Sequence, residues 1–171
     1  VRRMAVIFDL LLGKVRSKIT AILRTRAYYS ISDLITQFKT QVWGLMEANS
    51  GGLFHAATSL LQKIDQAQNR FLREIGISAV RGFLEFNFAP PSLRRNIGIL
   101  GLLQKRVLNK YHPSFHRLLP FYAKCFSEDT GQGHTKKLYG HWVEISSHRA
   151  LYDRSILAMV DIYNALPQYT V

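Results

Sequence analysis

The sequence predicts a mainly α-helical, bundle-like fold with a short N-terminal strand and a small hairpin near residues 138–145. Three observations carry this expectation. Apolar residues recur at helical spacing over residues 31–45 and 53–75. The ends of those stretches carry start and stop signals, Ser30 with Asp33 at one and Gly76 at another. Finally, 171 residues with 47% hydrophobic and 12% aromatic content suffice to bury a core, which excludes a disordered chain.

Met4–Phe8 is β-branched and aromatic and reads as a strand entering a turn near Asp9. A helix then runs to about Arg26, with Phe8, Leu11, Leu12, Val15, Ile19, Ile22 and Leu23 on one face. Ser30 and Asp33 approximate a capping box, in which each side chain serves a free backbone amide, ahead of the stripe Ile31, Leu34, Ile35, Phe38, Val42 and Leu45. Asn49-Ser-Gly-Gly52 breaks the chain. The clearest helix follows, from about Leu53 to Ile75, and Gly76 stands where a left-handed cap favours glycine. Residues 77–89 fit a short helix or a loop packed by phenylalanines. Pro90-Pro91 stops that segment, and Ser92 is a suitable cap for a helix to about Lys110. On that helix Leu93, Ile97, Leu100, Leu103 and Val107 share one side, with Arg94, Arg95, Lys105, Arg106 and Lys110 on the other. One or two helical turns end at Pro120, residues 121–150 are loop-rich, and a last helix runs from Asp153 to about Leu166. The domain organisation expected is therefore a helical region 1–120, a loop-rich insert 121–150, and a C-terminal helix within 151–171 packing on the same domain.

The net charge of +12 favours polyanionic partners. Residues 1–29 carry seven basic side chains against one acidic, residues 92–110 carry five against none, and residues 30–75 balance at four each. The surplus thus falls on two segments, with neutral packing helices between them. A lone Cys125 forms no internal disulfide and no Cys-rich zinc site, which reads as an intracellular chain of nucleus or cytoplasm. Asp9 interrupts the apolar run after Arg2-Arg3, so a secretory signal is not expected, and no apolar stretch approaches a membrane span. His112 and His116 are four apart but separated by Pro113, and His134, His141 and His148 recur in a loop-like region; neither set reads as metal ligands.

A series of landmarks in order carries a family resemblance. Met4-Ala-Val-Ile-Phe-Asp9 resembles the strand that follows the palm in non-LTR (LINE, jockey-like) reverse transcriptases, with Ala5 where that family has glycine. Ile64-Asp-Gln-Ala-Gln-Asn-Arg-Phe-Leu-Arg-Glu-Ile75 and the helix opened by Leu93-Arg-Arg95 are similar to the next two landmarks, followed by His112-Pro to Leu118-Leu-Pro120. Arg154-Ser155 and Tyr163-Asn-Ala-Leu-Pro167 look like the closing motif. The resemblance implies the thumb and C-terminal extension of an RNA-directed DNA polymerase. Its partners would be RNA, an RNA–DNA duplex, and the missing palm and fingers.

Such polymerases hold two Mg ions on clustered aspartates, two of them from a Tyr/Phe-x-Asp-Asp turn. No such turn occurs here, and the start at Val1 reads as a piece of a longer protein, expected to be inactive alone and to hold no cofactor. Arg94, Arg95, Lys105, Arg106 and Lys110 are the first candidates for phosphate contact, and Lys14, Arg16, Lys18, Arg24 and Arg26 the second. Tyr28 and Tyr29, beside the basic segment, could stack on bases, whereas Trp43 suits the core. Gln68, Asn69, Arg70, Arg154 and Asn164 read as shaping residues. A non-catalytic helical interaction protein derived from a retroelement is the alternative reading. Peripheral binding of the residue 10–27 helix to anionic membrane is a third, though its apolar face more simply joins the core.

Overall fold

The computed structural model describes residues 2–47, 56–121, 137–138, 149–153 and 155–170. It is mainly helical, and no strand occurs among the described residues. The chain divides into two compact units, Val1–Arg95 and Asn96–Val171, the boundary falling inside one helix. The sequence places its breaks near 120 and 150 instead.

In the first unit α1 spans Arg2–Arg24, so the expected strand at Met4–Phe8 is helix. The stripe Phe8, Leu12, Val15, Ile19 and Ile22 is buried, while the β-branched Val6 and Ile7 are exposed. Local β propensity yields to the helical face that Phe8 completes. Ser30 then caps α2 (Ile31–Phe38) with the anticipated capping box, Ser30 Oγ accepting from the Asp33 amide at 3.2 Å and Asp33 accepting from the Ser30 amide at 3.3 Å. A π turn, Lys39–Trp43, joins α2 to α3 (Gly44–Glu47). Steps of four residues drift by about 40° at 3.6 residues per turn. The wider turn absorbs that drift and keeps Phe38, Val42 and Met46 all buried.

Helix α4 spans Thr58–Glu74 and buries Ile64, Ala67, Gln68, Phe71 and Leu72. It ends as anticipated at Gly76, whose φ is +76°; the Gly76 amide donates to Arg73 O at 3.1 Å and the Ile77 amide to Leu72 O at 3.0 Å, satisfying the last carbonyls. The phenylalanine-rich segment forms α5 (Ala79–Phe86), capped by Ser78 and closed by left-handed Asn87. Phe88 beyond it enters the core beside Phe38, Phe71 and Trp43, with ring centroids 5.0, 6.2 and 5.2 Å away. A Cβ added at Gly82 would lie 3.2 Å from Leu72 Cδ2. Gly82→Leu is therefore expected to cost about 1–3 kcal/mol by overpacking, read as a lower urea midpoint, whereas alanine requires only a small shift of the leucine tip.

Helix α6 spans Pro91–Val107. Pro91 is its first residue, displacing the expected Ser92 cap, because proline's missing amide is one that a helix start leaves unpaired. The helix stops at Val107, short of Lys110. Asn109 adopts φ +55°, and the Lys110 amide donates to Lys105 O at 2.9 Å. The expected facing is also corrected: Leu93 and Ile97 are exposed, while Arg95, Ile99, Leu103, Arg106 and Val107 are buried. The second unit contains α7 (Ser114–Leu118), α8 (Arg149–Tyr152) and α9 (Ala158–Asn164), the last burying Met159, Val160 and Tyr163. Leu138 makes an isolated antiparallel bridge to Phe121; the rest of the expected 138–145 hairpin lies outside the described residues.

Candidate nucleic-acid interface

The arginines of α6 are mostly committed to the interior. Arg95 donates through both terminal nitrogens to the Asp65 carboxylate, at 3.0 and 3.2 Å. Arg94 stacks 3.5 Å from the Trp43 ring centroid and donates through Nε to Glu47. Arg106 is 2% exposed, donates to Leu119 O at 3.0 Å and lies 4.4 Å from the Phe121 ring. Burial lowers its pKa from the usual arginine range. These three, expected at a phosphate contact, are packing and pairing residues instead, since a guanidinium forks naturally onto a carboxylate and stacks on a ring. Lys105 and Lys110 are exposed in the second unit.

Two of the family-like positions are each held by hydrogen bonds within their own unit. Gln68 Nε2 donates to Ala89 O at 3.0 Å, and its Oε1 accepts from Trp43 Nε1 at 3.2 Å, holding the buried amide between α4 and the segment before α6. Asn164 pairs both ways with the Leu138 backbone, accepting at 2.9 Å and donating at 2.8 Å. Gln68 and Asn164 thus shape the fold as expected; Arg154 lies outside the described residues. His112 accepts from the Ser114 amide at 3.3 Å. His134, His141, His148, Trp142 and Cys125 fall outside the described residues.

Exposed cations gather elsewhere. A groove of about 360 Å³ runs between α1 and α4, lined by Arg16, Thr20, Lys63, Gln66, Arg70 and Arg73 over a floor of Ile19, Leu23 and Ala67. Four of its nine lining residues are cationic and none is acidic. The two helices end together: Arg26, just past α1, pairs with Glu74, the last residue of α4, at 3.2 Å. The turn that follows α1 carries Tyr28 and Tyr29, which are 86% and 49% exposed.

Helix-dipole complementarity accounts for Arg73 and Arg24, which stand in the last turns of α4 and α1. It does not account for Lys63, in the first half of a helix whose first turn holds no acid. Of the second set of expected contacts, Arg16 enters the groove and Arg24 lies one turn beyond Thr20 on the same flank. Lys14 and Lys18 are exposed on the other flank of α1, and Arg26 is engaged by Glu74. Lys63, Arg70 and Arg73 are additions that the sequence did not single out as phosphate contacts.

Comparison of the chain with protein-family models, curated proteins and solved structures finds no match. No described helix is long and apolar enough to cross a membrane.

Proposed function

We propose that this chain is the thumb and C-terminal extension of a LINE-type RNA-directed DNA polymerase, gripping RNA or an RNA–DNA duplex while the catalytic carboxylates and their two metal ions lie in a separate palm. The observation that carries this reading is the α1–α4 groove, where four cations converge without a carboxylate. Phosphates relieve the repulsion among such cations and release counterions as they bind. The pairing of Asp65 with Arg95 supports the resemblance, because residues quoted for two of its landmarks meet in space. Contacts of this kind position a backbone without reading its sequence.

The test is a titration of an RNA–DNA hybrid at several salt concentrations. Micromolar or tighter affinity is expected, with a log–log slope near −3 for roughly three neutralised phosphates. The double substitution Lys63→Glu and Arg70→Glu should weaken binding by at least about tenfold and flatten that slope. Absent or salt-independent binding rejects the proposal.

A further inference from the structure

We infer that the α1–α4 groove seats the backbone of one unpaired nucleic-acid strand, and that Tyr28 stacks on a base of that strand at the groove's end. This rests on the nucleic-acid reading above and narrows its ligand. The groove is the furrow between two helices in direct contact, with Ile19, Leu23 and Ala67 as its floor. Packed helices lie about 8–10 Å apart, axis to axis. A duplex rests only one strand's backbone on such a furrow, whereas an unpaired sugar-phosphate chain is free to settle into it and continue past its end.

The cation spacing suits that chain. Lys63, Arg70 and Arg73 are separated by about 10 and 5 Å along α4 at 1.5 Å per residue. Successive phosphates of a stacked strand advance about 3.4 Å, so this length of about 15 Å accommodates four to five of them. Thr20 and Gln66 add neutral donors beside the cations. No aromatic residue lines the groove, so bases find no stacking surface within it. Stacking becomes available at its C-terminal end, where the Arg26–Glu74 pair closes α1 against α4 and Tyr28 follows two residues later, 86% exposed. An exposed ring shortly beyond the end of a cationic track suits the sequence-tolerant holding of single strands.

The experiment compares fluorescence anisotropy of a blunt RNA–DNA hybrid with the same hybrid carrying an eight-nucleotide unpaired extension, using the whole chain. The extension is expected to tighten binding by about tenfold. Tyr28→Ala should remove about fivefold of that gain with the blunt hybrid little changed, whereas Arg70→Gln should weaken both probes alike. Equal affinity for both probes, or a gain that survives Tyr28→Ala, overturns this inference while the duplex-binding proposal stands. Failure of both probes to bind removes both. Circular dichroism of each variant separates lost contact from lost fold.

Discussion

Phe71→Ala is expected to destabilise the first unit by about 3–5 kcal/mol, the largest effect of any single truncation. Phe71 is fully buried, its ring 4.5 Å from Phe38 and 6.2 Å from Phe88, and Phe88 in turn stacks on Trp43. Removing the ring leaves a cavity bounded by side chains from α2, α4 and the segment after α5. Those rings cannot all collapse into it, because Trp43 is held by its hydrogen bond to Gln68. Differential scanning calorimetry should show a fall in Tm of about 10 °C, with Phe71→Leu recovering most of it. A fall of only about 2 °C would mean that the cluster contributes little.

Arg95→Met should cost about 3 kcal/mol or more, because it strands Asp65 beside the core without its forked partner. Arg95 is 8% exposed and donates two hydrogen bonds to that carboxylate. Asp65→Ala leaves the guanidinium buried instead and should be comparably damaging. The double variant Arg95→Met with Asp65→Leu is expected to recover much of the loss, since paired replacement by apolar groups removes both stranded charges. Urea unfolding of the four proteins measures the coupling. At a temperature where all are folded, hybrid affinity should remain unchanged, as Arg95 faces inward. A selective loss of affinity without loss of stability would return Arg95 to the interface.

The helices themselves were legible in the sequence because periodicity and end signals agreed. Ser30 with Asp33, Gly76 and the Phe71 stripe all act as expected. The N-terminus misled because a five-residue window of β-branched and aromatic side chains cannot reveal that Phe8 completes a stripe extending to Ile22. The candidate interface was less legible, for a reason rooted in pairing. Counting showed residues 30–75 as neutral, yet their acids are spent elsewhere: Asp33 on a cap, Glu47 on Arg94, Asp65 on Arg95 and Glu74 on Arg26. Lys39 is likewise engaged, donating to Phe86 O at 2.6 Å. What remains uncompensated is Lys63, Arg70 and Arg73, on the helix that seemed balanced. Arg94 and Arg95, which have no acid near them in sequence, take their partners from that same stretch. Linear charge counts cannot see such long-range exchange.

The charge balance of the first unit has a consequence for how copies of the chain behave toward one another. Its fourteen Lys and Arg outnumber six Asp and Glu, so that the unit wears a cationic coat on balance even though Asp9, Asp33, Glu74 and Glu85 are exposed, and molecules repel at low ionic strength. The coat also keeps neighbours from meeting at Val80 and Leu84, bare on α5 at 68% and 74% exposure. Added electrolyte shortens the reach of that repulsion to about 10 Å at 0.1 M, and then the greasy side of α5 sets how long the material stays dispersed.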